Sequence, residues 1–143
     1  MRGERGQAVV IAAILIGIGA LAIVGLRAVQ DRMLANAISQ DAGEAAVEAA
    51  AAVVADAYVA RLDSLRAHAF DVPRPTADIV GMLADPAMRE TARAAAAEAA
   101  ARNGGVFDGA VGARCVGATI EIEIHHAGRL HRAAVQADAC SPR

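Results

Sequence analysis

The sequence predicts an α+β protein: a long N-terminal transmembrane-plus-stalk helix, short helices, and a C-terminal antiparallel β-hairpin with a disulfide. Three observations predict it. Residues 8–26 form a run of 19 positions without a charge. Residues 28–69 contain no Pro, a single Gly at Gly43, and an abundance of Ala, Leu, Glu, Gln and Arg, which favour helix. Between Ala118 and His125 apolar and polar residues alternate, with Cys115 before the run and Cys140 after it.

The apolar run comes first. At ~1.5 Å per residue it reaches about 28 Å, close to a hydrocarbon core of about 30 Å. A cleaved signal has a shorter apolar region, about 7–15 residues, and ends in loop-like sequence, whereas here residues 27–32 continue in helix-permissive residues. The run is therefore read as a retained span. It divides the chain into a leader-like segment (1–7), a transmembrane helix (8–26), a helical stalk (27–71) and a small extracytoplasmic α+β region (72–143). Arg2 and Arg5 on one side are balanced by Arg27 and Arg32 on the other, so Arg counting does not orient the span. A disulfide would orient it, by placing the C-terminal region in an oxidising compartment and the N-terminus in the cytoplasm.

In the stalk, side chains larger than Ala recur at Leu34, Ile38, Val47, Val54, Tyr58, Leu62 and Leu65, a narrow stripe at helical spacing. Such a stripe needs a partner surface, either the C-terminal region or neighbouring copies. Residues 72–75, Val-Pro-Arg-Pro, stop the helix. Thr76 is placed to cap a short helix through about Ala84. Asp85 and Pro86 are a cap and first-turn proline for another through about Arg102, closed by Asn103, Gly104 and Gly105.

The hairpin's register follows from its turn. If Ala127 and Gly128 form a two-residue loop, His126 faces Arg129 and paired residue numbers sum to 255. Glu123 then lies opposite Arg132 as a cross-strand ion pair, Ile120 opposite Val135, and Ile122 opposite Ala133. The same sum puts Cys115 opposite Cys140 at a non-hydrogen-bonded site, where a disulfide fits. Ala127 is a poor residue for positive φ, so a bulge or slipped turn would shift the register by one.

Composition excludes several functions. With 56% hydrophobic but 2% aromatic residues, the chain has little with which to line a deep ligand pocket. All 14 basic residues are Arg and the net charge is -2, so no basic stripe supports nucleic-acid binding. His125 faces one side of the strand while His126 and His131 face the other, so these three do not converge on a metal. Glu121 and Glu123 share a face, and Arg132 engages the second. Ser39, Ser64 and Ser141 are isolated, and no phosphate loop, nucleophile elbow or Cys-x-x-Cys occurs. Neither an enzyme nor a cofactor is expected.

Glu4-Arg5-Gly6-Gln7-Ala8-Val9-Val10 and the span that follows resemble the opening of TadE/TadG-like proteins of the tight-adherence (Flp) pilus system. Residues 32–37 and 44–50 resemble the Ala-rich helix that follows the membrane in that family, so the likeness covers about residues 4–55. It implies a membrane-anchored, pilin-like or pseudopilin-like assembly subunit, with lipid, other pilus or secretion-system subunits, or copies of itself as partners. It also implies a prepilin peptidase cutting after Gly6 to leave Gln7 as the new N-terminus. Pilins carry a Glu about five residues into the mature chain. Here that position is Ile11 and the span holds no acid, which moves the match toward the TadG-like side, with a permanent anchor.

Overall fold

The computed structural model describes the backbone at residues 3–67 and 75–141, and side chains at residues 10–67 and 78–141. The element order is α1 (Gly3–Ala67), α2 (Pro75–Ala84), α3 (Pro86–Arg102), β1 (Val111–Val116), β2 (Thr119–His126), β3 (Arg129–Gln136) and a 3-10 turn (Asp138–Cys140). Two compact units divide the chain, Met1–Ala37 and Ile38–Arg143. Span and stalk are helical as far as Ala67, as expected of residues that include no Pro; the stalk's last residues, 68–71, lie outside the described residues. The predicted stop at residues 72–74 lies outside the described residues. Pro75 is the first residue of α2, so Thr76 sits inside that helix and not ahead of it; its side chain lies outside the described residues.

In the first unit, every large apolar residue from Val10 to Leu34 is exposed, by 47–75% of its surface. Among the described residues none covers the helix there. Added Cβ atoms at Gly17, Gly19 and Gly25 would meet nothing within 4 Å.

The second unit is built the opposite way. Ile120, Ile122 and Ile124 alternate on one face of the sheet and are fully buried, since successive strand residues point to opposite faces. Against them lie Ala42, Ala46, Val47, Ala50, Ala51, Val54 and Tyr58 of α1, together with Ile79, Leu83, Ala92, Ala96 and Ala100 from α2 and α3. The stalk stripe thus finds its cover in the C-terminal region at Val47, Val54 and Tyr58, while Ile38 stays 38% exposed. Alanine contributes more to this core than a stripe of larger residues suggests. Ala42, Ala46 and Ala50 follow one another at i, i+4 on one helix face, and their small side chains let the backbone come close. Gly43 takes this furthest, because an added Cβ would lie 2.3 Å from His131 Nε2.

Local chemistry accounts for the helix ends. Asp85 caps α3 by accepting from Ala87 N at 2.9 Å, with Pro86 at the first helical position. At the other end Gly105 N donates to Ala100 O and Gly104 N to Ala101 O, with Gly104 at φ 75, a Schellman closure.

The sheet has three antiparallel strands in the order β1-β2-β3. β2 and β3 pair from Thr119↔Gln136 to His126↔Arg129, a residue sum of 255 throughout. Ala127 (φ 49) and Gly128 (φ 75) both take positive φ, as a tight two-residue turn with this twist requires. Alanine accepts that geometry at a cost of about 1–2 kcal/mol. No bulge interrupts the pairing.

β1 is a strand that the hairpin reading does not include, and it overturns the predicted cysteine register. Cys115 pairs with Ile120, not with Cys140. The sum of 255 continues only to Ala118, whose carbonyl accepts from Ala137 N. Gly117, at φ 58, then reverses the chain in a second two-residue turn and sends β1 back along the opposite edge of β2. The disulfide itself is present, formed from elsewhere: the 3-10 turn after β3 brings Cys140 to Cys115 with their Cα atoms 5.4 Å apart.

Candidate functional site

Three places in the described residues carry the charged, polar or redox side chains singled out by the sequence. The first is the disulfide. Cys115 is half-buried on β1 and Cys140 is buried in the 3-10 turn. Tyr58 holds the same turn to α1, its hydroxyl accepting from Ala139 N at 3.3 Å. The bridge, the tyrosine and α2 thus secure the end of the chain against the core. A bonded, largely buried pair has no thiolate with which to act as a nucleophile.

The second is a charged ladder on the outer face of the sheet. Arg114 of β1 lies 2.7 Å from Glu121 and 3.2 Å from Glu123, and Arg132 of β3 lies 2.8 Å from Glu123 and 3.6 Å from Glu121. Glu123 and Arg132 are direct cross-strand partners. Arg114 is the part that sequence reasoning missed, since it belongs to the unforeseen strand. Its hydrogen bonds hold the Glu121 carboxyl below the usual carboxylate range, opposed by partial burial and assisted by the charges of Arg114 and Arg132. Both carboxylates thus lie between two guanidinium groups. That tethers three strands together.

The third is a pair of histidines at one end of the core. His126 and His131 are each 9% exposed, their rings 6.4 Å apart, and Phe107 lies 6.4 Å from His126. His131 Nε2 is buried against Gly43 without a hydrogen-bond partner. His125 is exposed on the other face. Among the described residues no group of three or more His, Cys, Asp or Glu could hold a metal ion.

A shallow groove between α1 and α2 is lined by Ala57, Ala60, Gly81 and Met82 around the Arg61–Asp78 ion pair. Arg61 Nε donates to Asp78 Oδ2 at 2.9 Å, and the hydrogen bond raises the guanidinium pKa further. Sequence spacing could not have joined these two, because they lie on separate helices, α1 and α2. Gly6 and Gln7 lie in the helical backbone, with side chains outside the described residues.

Outside these places, α1 contains a stretch long and apolar enough to cross a membrane, wholly unburied in its most hydropathic window. Comparison with protein-family models, curated proteins and solved structures finds no match. Fold and surface together define an α+β protein with one candidate membrane-spanning helix near its N-terminus and a disulfide-bonded three-stranded sheet.

Proposed function

We propose that this chain is a structural, membrane-anchored pilin-like subunit or assembly component of a tight-adherence (Flp) type pilus or secretion system. The observation that carries the reading is the division of labour along α1. Residues 10–26 expose an uncharged, apolar surface suited to lipid, and residues 42–58 supply a core wall for the sheet. The R-G-Q opening at Arg5-Gly6-Gln7 supports the same reading from the sequence side. In this account the work is assembly and not catalysis: the span holds the protein in the membrane with its N-terminus cytoplasmic, and the disulfide-bonded unit is displayed outside. Partners are lipid, other subunits of the same machine, and copies of the chain.

A second reading, an independent membrane-anchored binding module for an envelope or secreted protein, is favoured by Ile11. A pilin would place a Glu there, and no acid occurs in the span.

Intact mass of the membrane-extracted protein, before and after reduction, separates the two. Loss of the residues from Met1 to Gly6 is expected of a processed subunit, and an uncut N-terminus of a permanent anchor. Reduction is expected to add about two mass units, the hydrogens of one opened bridge.

A further inference from the structure

β3 is an edge strand of eight residues, and the two edges of this sheet are finished differently. Both α2 and α3 pack against β1, whereas β3 meets α1 only from its core-facing side, where His131 lies against Gly43 and Arg129 donates to Gln40 Oε1, and among the described strands it pairs with β2 alone. Because His126 and Arg129 close a two-residue turn, they form a hydrogen-bonded pair, and so do the pairs at His131, Ala133 and Val135. The N–H and C=O groups of Leu130, Arg132, Ala134 and Gln136 therefore point outward. No hydrogen bond within the described residues reaches them. Arg129 and Arg132 are the charges on this strand; it has no Pro, no Gly and no bulge, and Ala133 and Val135 are only half-buried. Long, regular, uncovered edges pair with another strand unless something prevents it.

Charge selects the kind of strand. Across the outer face the order is Arg114, then Glu121 and Glu123, then Arg132. Arg132 makes ion pairs through Nε, yet none of its donors makes a hydrogen bond among the described residues. A second copy of β3 would bring Leu130, Arg132, Ala134 and Gln136 to that face, adding another cation and no acid. We infer that the β3 edge takes up an extended segment of a different polypeptide, bearing a carboxylate on the outer face beside Arg132 and small or β-branched residues facing Val135. Backbone hydrogen bonds to the outward groups supply the affinity, and the free face of the Arg132 guanidinium supplies the preference.

The test uses the full-length protein in lipid nanodiscs and two synthetic strand peptides alternating Val and Thr, one with a central Glu and one with Lys in its place. The Glu peptide is expected to bind about ten-fold more tightly, the scale of one charge-assisted hydrogen bond, and to slow hydrogen exchange at the Arg132 and Ala134 amides. Arg132→Gln is expected to bring the two peptides to equal affinity. Ala134→Pro, which removes an outward N–H and no bond to β2, is expected to abolish binding. A peptide N-methylated along its pairing edge should fail likewise, with no change to the protein. Equal affinity of both peptides for the unaltered protein, or no protection with either, would overturn the proposal. So would protection of those amides that grows with protein concentration alone, which would put a second copy on the edge.

Discussion

The two units use nearly the same apolar residues, chiefly Ala, Val, Ile and Leu, and place them in opposite ways. From Val10 to Leu34 the large apolar side chains surround the helix and stay exposed. From Ala42 to Tyr58 they collect on one face and vanish into a core that includes four fully buried isoleucines. Composition cannot distinguish these cases, and periodicity can. A helix apolar all round needs an apolar solvent, whereas a helix with one apolar face needs a partner surface.

The largest expected effect breaks this contrast at matched substitutions. Ile122→Ala removes a fully buried side chain and should cost about 2–5 kcal/mol of unfolding free energy in chemical denaturation of the detergent-solubilised protein. Ile16→Ala, at a residue 73% exposed, should leave that transition where it was. Next in size, the disulfide closes a loop between residues 25 apart, so Cys115→Ala with Cys140→Ala should lower stability by about 3 kcal/mol in the same assay.

Glycine sharpens the comparison. Gly43→Ala drives a methyl into the His131 ring and should cost about 1–3 kcal/mol by overpacking, recoverable by His131→Ala in a double-mutant cycle. Gly19→Ala meets nothing and should be neutral or slightly favourable to the helix.

The smallest effect is one of pH. Glu121 has its folded pKa lowered by Arg114, so it contributes stability above its unfolded pKa, and that contribution fades as pH falls from there through the lowered folded value. Glu121→Gln should flatten the acid limb of a stability-pH curve measured by thermal melts, and its absence of effect would show the ladder to be energetically idle.

Much of this architecture was legible in the residues. The charge-free run, the Asp85-Pro86 start of α3, its Asn-Gly-Gly end and the β2-β3 register all rest on local chemistry that the chain states directly. The misses have physical reasons. β1 reads Val-Gly-Ala-Arg-Cys-Val, where Gly112 and Ala113 are too small to show an alternating face, and Gly117 turns the chain where an uninterrupted strand was expected. Without that strand the sequence places Cys115 opposite the wrong neighbour, though it still pairs it with Cys140, and offers no sign of Arg114 in the charged ladder. Ala42, Ala46 and Ala50 were passed over because a stripe of larger side chains draws attention to hydrophobic size, while close approach of a helix to a sheet favours small residues.

Protease protection in sealed right-side-out membrane vesicles, with a separate portion of the membranes washed in alkaline carbonate, tests the central claim most directly. The account expects the protein to remain in the washed membrane and an external protease to remove the disulfide-bonded unit, leaving a fragment that contains residues 8–26. Release of the intact chain by carbonate, or cleavage only after the vesicles are opened, would contradict it.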